Sequence, residues 1–339
     1  MHVKAMVLEK PAPVESRPLR EVDWPTPQPG SKEILVRVEV CGVCRTDLHV
    51  VEGELPPHKR PVIPGHEIVG RVEQTGPDCS RLRVGDRVGV AWLHRACGTC
   101  DYCKRGNENL CDAPVFTGYD ADGGYAEFVR AHEDFVYPLP EQMPASTIAP
   151  LLCAGIIGYR ALRRSEVKAG QRLGLYGFGA SAHIVIQIAL HWGCEVYVSS
   201  REKRHQDLAR EMGATWVGGP GESPPKKLHS AILFAPAGNL VPLVLESLDK
   251  GGTLAIAGIY LTQIPPLDYE HHLFRERTVR SVTANTREDG AELLRLAAEI
   301  PLRTHTQAFS LAEANEALRR LKHDEIRGAA VLLIAPGAS

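Results

Sequence analysis

Four cysteines lie close together in one polar loop of the chain. Cys97, Cys100 and Cys103 are each separated by two residues in ACGTCDYC, and Cys111 follows after seven more. Thiolates at such short spacing can close a tetrahedral shell around one zinc ion and leave no position for water. Unrelated free cysteines are usually scattered and buried instead. The spacing therefore predicts a structural zinc site.

Three further potential zinc ligands are far apart in the sequence: Cys44 in CGVCRTD, His66 in IPGHE and Cys153 in APLLCAG. Two cysteines and one histidine leave a fourth position for water or substrate, as catalytic zinc requires. Spacing alone does not establish that these side chains meet, and each taken singly also fits a core or structural role. Cys41 competes with Cys44 as the thiol ligand. Asp47 is a candidate to accept a hydrogen bond from the other ring nitrogen of His66, or else it is a carboxylate of a surface turn.

A glycine-rich turn follows the apolar run RLGLY and precedes a helical stretch. It consists of Gly177, Phe178, Gly179, Ala180, Ser181 and Ala182. Such a turn lets a pyrophosphate approach backbone amides at a helix N-terminus, and alanine in third place still permits close packing of helix on strand. Its position between a strand and a helix, with another strand ending near residue 200, predicts a dinucleotide site.

The residues at the end of that second strand bear on the choice of cofactor. An acid that binds the ribose hydroxyls would indicate NAD, yet the sequence reads VSSR at 198–201, with Lys203 and Arg204 close behind. The hydroxyl of Ser200 and the cation of Arg201 suit a 2′-phosphate. We therefore expect NADP, with NAD bound without the acid as the alternative.

The pattern of apolar residues divides the chain into two kinds of structure. Between about residues 30 and 130 short apolar runs alternate with glycine and proline, which predicts mainly strands. From about residue 151, short apolar strands alternate with helical stretches, which predicts a parallel sheet. Two helical stretches and an apolar strand, GAAVLLI, come last, and we expect them to pack on the N-terminal domain. The predicted domains are 1–150 with 285–339, and 151–284.

Composition limits the classes of partner. The chain has 339 residues, a length that predicts two domains. Its formal net charge of −2 gives no long-range electrostatic field that would attract nucleic acid or anionic lipid. The first residues are charged and broken by proline, unlike a signal peptide, and no run has the length of a membrane span. An odd number of cysteines, nine, with four of them clustered, fits metal ligation in a reducing compartment. We expect a cytoplasmic protein that binds neither nucleic acid nor membrane.

Several segments together resemble the zinc-containing medium-chain dehydrogenase/reductase family, and in particular its short bacterial alcohol dehydrogenases of the propanol-preferring type. The segments are CGVCRTDLH, IPGHEIVG, ACGTCDYC, GGYAEF at 123–128, PLLCAG and GFGASA. The resemblance covers nearly the whole chain. It implies an α/β fold, in which a Rossmann domain with a doubly wound parallel sheet joins a mostly β, GroES-like catalytic domain. It also implies two zinc ions per chain and a homo-oligomer, either a tetramer or a dimer.

The resemblance also implies a role for individual residues. It assigns the catalytic zinc to Cys44, His66 and Cys153, and the structural zinc to Cys97, Cys100, Cys103 and Cys111. Glu67 matches the acid near the catalytic zinc, and Thr46 matches the hydroxyl that touches the substrate oxygen. His49 matches the outer end of a proton relay, and Arg45 matches a contact to the cofactor pyrophosphate.

Three positions bear on specificity and on departures from the family. Trp92 and Leu93 match positions that line the substrate pocket, where bulky groups favour short primary alcohols, although both also fit a core role. Many relatives have a pyrophosphate-binding arginine just after a glycine near the C-terminus. This chain has Arg327 just before Gly328, so Arg327 either makes that contact from a shifted position or the contact is absent.

The residues and the resemblance together predict a zinc-dependent alcohol dehydrogenase. It would transfer a hydride reversibly between a small primary alcohol or its aldehyde and NAD(P), with zinc acting as a Lewis acid on the alcohol oxygen. One alternative keeps the fold and acts on polyols or other secondary alcohols, or works mainly as an aldehyde reductase. A zinc-free, non-catalytic nucleotide-binding protein of the quinone-reductase branch is disfavoured, because that branch lacks both cysteine motifs.

Overall fold

The computed structural model describes residues 2–300 and 302–335, which form two compact units. The first unit takes in residues 2–153, 284–298 and 303–335. The second takes in Ala154–Thr283 with residues 299, 300 and 302. The chain therefore leaves the first unit directly after Cys153 and returns to it at Ala284.

The secondary structure follows in chain order. The strands are β1 (His2–Leu8), β2 (Leu19–Pro25), β3 (Glu33–Val43), β4 (Glu67–Thr75), β5 (Arg87–Val90), β6 (Leu93–Arg95), β7 (Val115–Phe116), β8 (Phe128–His132), β9 (Val136–Pro138), β10 (Arg172–Tyr176), β11 (Glu195–Ser199), β12 (Trp216–Gly218), β13 (Leu228–Leu233), β14 (Leu248–Ile256), β15 (Thr278–Ser281), β16 (Thr306–Ser310) and β17 (Ala329–Leu333). The helices are α1 (Arg45–Glu52), α2 (Asp101–Lys104), α3 (Ala145–Ile148), α4 (Ala154–Ser165), α5 (Ala180–His191), α6 (Lys203–Glu211), α7 (Leu240–Ser247), α8 (Arg287–Glu299) and α9 (Ala314–Lys322). Short 3₁₀ turns and one π-turn connect them.

The first unit is built on a mostly antiparallel sheet with the strand order β16-β17-β3-β4-β5-β9, and β8 also pairs with β3. Strand β3 lies in the interior of this sheet. Its apolar side chains Ile34, Val36, Val38 and Val40 are almost wholly buried. The last strand, β17, pairs antiparallel with β3 and so brings the end of the chain back to the N-terminal part. Cys44 directly follows β3 of this sheet, whereas the four-cysteine loop lies between β6 and β7, which form a separate two-stranded sheet.

The second unit contains a six-stranded sheet with the order β12-β11-β10-β13-β14-β15, in which every adjacent pair is parallel. Numbered within the unit, this is the order 3-2-1-4-5-6 of a doubly wound dinucleotide-binding fold. The order in which strands are added to the sheet reverses between β10 and β13, and ligands of such sheets bind at the carboxyl ends of the strands at that point. The glycine turn at 177–182 begins at the carboxyl end of β10.

Among the described residues no single helix has both the length and the apolar character to cross a bilayer, although Ala145–Leu152 and Ala154–Ser165, a bent pair, pass the same test together.

Candidate active site and metal centres

Cys44 is the residue that begins helix α1, and its position is fixed by a reciprocal capping box. The Cys44 sulfur accepts a hydrogen bond from the backbone N–H of Thr46, at 3.3 Å. The Asp47 carboxylate accepts one from the backbone N–H of Cys44, at 2.8 Å. Asp47 is 2% exposed, and its second oxygen lies 3.0 Å from Nδ1 of His66. One carboxylate thus contacts both the start of the helix and the imidazole, so the structure brings Asp47 and His66 together.

His66 and Glu67 lie side by side where strand β4 begins. Gly65 precedes them with a φ of +98°, a left-handed conformation, and a Cβ there would meet the Tyr125 ring at 2.4 Å. Glu67 pairs with Gly42 on β3, and a Cβ on Gly42 would lie 1.8 Å from the Glu67 carboxylate. The two glycines therefore make room for the buried histidine and glutamate.

Cys153 follows the 3₁₀ turn Ala149–Leu152, whose four side chains are buried in the first unit. Its sulfur lies 4.0 Å from the Cys44 sulfur, which in turn lies 3.2 Å from Nε2 of His66. One donor atom from each of Cys44, His66, Glu67 and Cys153 falls within 4.8 Å of the others. Residues from three distant parts of the chain thus meet at one point, which the sequence alone did not establish.

The donors in this cluster suit a divalent cation. Burial raises the pKa of the Cys44 thiol well above its ordinary value and that of the Glu67 carboxyl to about 8. Thiols and a carboxyl packed this closely disfavour one another's ionised forms, whereas a metal ion of charge +2 stabilises them. Two sulfurs and an imidazole nitrogen are the ligands that zinc prefers. The residues present therefore fit zinc.

The second cysteine cluster lies in the loop that carries helix α2. Sulfurs of Cys97, Cys100, Cys103 and Cys111 all lie within 4.8 Å of one another. Backbone N–H groups donate to these sulfurs, among them Cys100 to Cys97 at 3.3 Å and Cys97 to Cys111 at 3.2 Å. Such donors lower the pKa of Cys97 to about 6. Four sulfurs in a cage of amide donors fit a closed zinc shell.

Trp92 lies beside the first cluster. Its indole centroid is 4.9 Å from the imidazole centroid of His66, with the two rings nearly perpendicular, at 73°. The neighbouring Leu93 is 3% exposed and begins strand β6. Trp92 is partly exposed, so its ring forms part of the wall next to His66.

Thr46, His49 and Arg45 all belong to helix α1. Thr46 and His49 are three positions apart, which places them on the same face. The His49 side chain is 21% exposed and its Nδ1 contacts the Glu54 carboxylate. Arg45 is half-exposed and forms an ion pair with Asp324 in the segment after α9. Arg327 lies three residues beyond Asp324, in the bend before β17.

The nucleotide turn has the geometry that a pyrophosphate needs. Gly177 has a φ of +92°, and a Cβ there would lie 2.8 Å from the backbone nitrogen of Ala235. Gly179 is the N-cap of α5, and a Cβ on it would meet no atom within 4 Å. Space therefore remains in front of the first amides of α5, where Ala180 and Ser181 follow.

Ser200 and Arg201 come directly after β11. Ser200 is 6% exposed, and its backbone N–H donates to the carbonyl of Gly218. The Arg201 side chain is 79% exposed and its Nε donates to Glu202 at 2.9 Å. The Arg201 side chain is therefore solvent-exposed just after β11, where the sequence has no ribose-binding acid.

Comparison with known proteins decides the family. Residues 30–141 match the family described as Alcohol dehydrogenase GroES-like domain, and residues 182–299 match the one described as Zinc-binding dehydrogenase. A probable alcohol dehydrogenase, AdhA, of Mycobacterium tuberculosis is 50% identical over 337 residues, which cover 98% of this chain and 97% of that protein. The chain belongs to the zinc-containing medium-chain dehydrogenase/reductase family. The predicted fold class, with its GroES-like domain and doubly wound sheet, is confirmed.

Other members of the family match over different lengths. The structure of a cobalt- and zinc-bound thermostable alcohol dehydrogenase from Pyrobaculum aerophilum superposes with a TM-score of 0.87 at 27% identity and covers 99% of this chain and 100% of that one. A protein of Saccharomyces cerevisiae named NADP-dependent alcohol dehydrogenase 6 is 42% identical over 190 residues, about half of each chain.

Sequence reasoning missed the aromatic neighbours of Trp92, namely Phe116 and Tyr119. Both rings stack on the indole, at centroid distances of 4.9 and 6.0 Å. The only signal in the sequence is the aromatic pair VFTGY after the four-cysteine loop. The pairing of β6 with β7, which brings Leu93 opposite Phe116, cannot be read from that pattern.

Proposed function

We propose that this protein is a zinc-dependent alcohol dehydrogenase that transfers a hydride reversibly between a small primary alcohol or its aldehyde and a nicotinamide cofactor. The observation that carries the proposal is the meeting of Cys44, His66 and Cys153 with Glu67 in one cluster within 4.8 Å. Such a ligand set leaves a coordination position for substrate. The full-length match to a probable alcohol dehydrogenase supports it.

Each metal ligand set has a distinct role in this proposal. Cys44, His66 and Cys153 hold the catalytic zinc, which when bound supplies Lewis acidity that makes an alcohol more acidic. Glu67 lies beside these ligands. Asp47 keeps the His66 ring oriented and its Nε2 directed at the metal position. Cys97, Cys100, Cys103 and Cys111 hold the structural zinc, giving two zinc ions per chain.

The proton released by the alcohol leaves along helix α1. Thr46 accepts it at its hydroxyl oxygen while donating its own proton onward in the direction of His49. Both residues lie on one helix face, and the His49 side chain is 21% exposed, so it reaches solvent. A histidine side chain can exchange protons with water. Trp92 and Leu93 line the side of the pocket that limits substrate size.

The cofactor lies across the carboxyl edge of the parallel sheet. The amides at Gly177–Ser181 bind the pyrophosphate at the start of α5, and Phe178 is buried within the turn. Ser200 and Arg201 favour NADP, because no acid occupies the ribose position and the guanidinium is exposed. The domain roles follow: residues 1–150 with 285–339 are catalytic and residues 151–284 bind nucleotide.

The quaternary and cellular setting completes the proposal. None of the nine cysteines is in a disulfide, which suits the reducing cytoplasm. A homo-oligomer, either a dimer or a tetramer, is the assembly expected for the family. Static light scattering of the purified protein distinguishes either from a monomer.

The experiment that tests the function is the initial rate of nicotinamide reduction with a series of primary and secondary alcohols, using NADP and NAD side by side. We expect turnover of short primary alcohols with a higher kcat/KM for NADP. Arg201→Ala should lower kcat/KM for NADP by about tenfold, as expected when a charge-assisted phosphate contact is lost, and leave that for NAD unchanged. Lys226→Ala, which removes another exposed cation of the same unit, is the control. No turnover with any alcohol and either cofactor would contradict the proposal.

A further inference from the structure

A ladder of four rings runs along one side of the candidate active site. Phe116 stacks on Trp92 with a centroid distance of 4.9 Å and an interplanar angle of 15°. Tyr119 stacks on the same indole at 6.0 Å and 25°, and the His58 ring lies 4.5 Å from Tyr119. We refer to His58, Tyr119, Trp92 and Phe116 as the aromatic ladder.

The ladder is anchored through Tyr119. This side chain is 7% exposed, and its hydroxyl donates to the backbone carbonyl of Pro56. His58 Nδ1 lies 2.7 Å from the Asp120 carboxylate. The backbone N–H of Thr117 donates to the carbonyl of Trp92 at 2.9 Å. Segment 56–58 and segment 116–120 are therefore joined to each other and to the residue that faces His66.

Trp92 is the ladder ring that meets the active site. Its centroid is 4.9 Å from that of His66, and it is only partly buried. An indole in a partly open wall has rotamers available that swing it away from the site, unless neighbouring rings hold it in place. Phe116 and Tyr119 are those neighbours.

We propose that Tyr119 is a specificity-determining positioning residue, because its ring and its bonded hydroxyl fix the Trp92 indole beside His66 and so limit the bulk of alcohol that reaches the site. The proposal rests on the proposed function. Tyr119 acts through Trp92 and does not itself touch the substrate. Loss of the stack lets the indole move and enlarges the space next to His66, so bulkier alcohols gain relative to short ones.

The test compares propan-1-ol with benzyl alcohol in Tyr119→Phe and Tyr119→Leu. Tyr119→Leu should shift the ratio of their kcat/KM values by about five- to tenfold in favour of benzyl alcohol, within the range that one or two methylene groups of space discriminate. Tyr119→Phe keeps the stack and loses only the hydroxyl, so its shift should be smaller. Tyr137→Leu is the matched control, because Tyr137 is also 7% exposed in the same unit but is not a member of the ladder.

A double-mutant cycle with Trp92→Ala separates positioning from general loss of packing. Tyr119→Leu should cause no further change of the ratio once Trp92 is replaced. The near-ultraviolet circular dichroism of the stacked indole gives a readout independent of turnover. Tyr119→Leu should alter that band in the wild-type background and leave the spectrum of the Trp92→Ala variant nearly unchanged.

Two outcomes would overturn the role of Tyr119. One is a ratio of kcat/KM values for the two alcohols that stays within twofold of wild type in Tyr119→Leu, or that shifts by the same amount in Tyr137→Leu. The other is an equal shift with and without Trp92. If the proposed function itself is wrong, the wild-type protein will oxidise neither alcohol. The circular dichroism measurement does not depend on turnover, so it would still show whether Tyr119 holds the Trp92 indole.

Discussion

At the scale of single residues, the Asp47 carboxylate has several polar partners. Its two oxygens serve different partners, the backbone N–H of Cys44 and the ring nitrogen of His66. A further backbone donor, Gly65, reaches the same oxygen as His66, at 3.2 Å. A carboxylate that is 2% exposed and shared in this way couples the start of α1 to the orientation of a metal ligand.

Replacing Asp47 by asparagine should weaken the open zinc site and spare the closed one. An asparagine oxygen can still accept the hydrogen bond from the Cys44 backbone N–H, but the negative charge beside His66 is lost. Loss of a carboxylate that hydrogen-bonds a metal-ligating histidine reduces metal affinity by about 10- to 100-fold. Zinc retained during dialysis against a graded series of chelator concentrations measures the effect. Asp23→Asn, at an exposed carboxylate, is the control. Equal zinc retention in both variants would show that Asp47 does not support His66.

His94 gives stability a specific dependence on pH. It is 7% exposed, and burial lowers its pKa to about 4. In the unfolded chain the imidazole takes up a proton below about pH 6.5, whereas the folded protein resists protonation until about pH 4, so stability falls as the pH falls through that window. Between pH 7 and 4.5 this group alone should cost ~2 kcal/mol.

Denaturant unfolding of wild type and His94→Gln at pH 7 and pH 4.5 measures that contribution. The variant should lose less stability on acidification, by the same ~2 kcal/mol. His191→Gln, at an exposed histidine, should behave as wild type. Parallel pH profiles for wild type and His94→Gln would contradict the assignment.

At the scale of elements, two glycines of the nucleotide turn perform different tasks. Gly177 is required by the fold, because its φ is +92° and a Cβ would lie 2.8 Å from the backbone of Ala235. Gly179 has a φ of −104° and empty space where a Cβ would stand. A bound pyrophosphate is the reason we give for a glycine at the second position.

The paired variants Gly177→Ala and Gly179→Ala should therefore separate folding from binding. Gly177→Ala should lower stability by about 1–3 kcal/mol, the usual cost of backbone strain. Gly179→Ala should melt near the wild-type temperature but bind reduced nicotinamide cofactor more weakly. Thermal unfolding and cofactor fluorescence titration measure the two effects. Wild-type cofactor affinity in Gly179→Ala would mean that the pyrophosphate binds elsewhere.

Which elements the sequence predicts depends on how local their signals are. The alternation of strands and helices after residue 151 is repeated often enough to specify the parallel sheet. The β1–β2 hairpin was not predicted, because β2 contains three charged residues and prolines interrupt the segment between the two strands. Helix α7 ends at Ser247, and the next residue, Leu248, pairs with Leu228 as β14 begins.

At the scale of the whole molecule, the two candidate zinc sites differ in how far apart their ligands lie along the sequence. Cys97, Cys100, Cys103 and Cys111 lie within one loop, so their spacing alone predicts that they meet. The Cys44, His66 and Cys153 donors span more than a hundred residues, and only the resemblance to a family selected Cys44 over Cys41. In the structure Cys44 and Cys153 lie 4.0 Å apart, and Cys41 is a wholly buried thiol outside the ligand group.

The most direct test of the central claim is the rate of alcohol-dependent nicotinamide reduction by Cys153→Ser. Serine keeps the volume of the side chain but is a poor zinc ligand, so the rate should fall at least about a hundredfold while the structural zinc is retained. Cys194→Ser, at a buried cysteine of the second unit, should keep near-wild-type turnover. Intact turnover in Cys153→Ser would contradict the assigned metal site and the mechanism built on it.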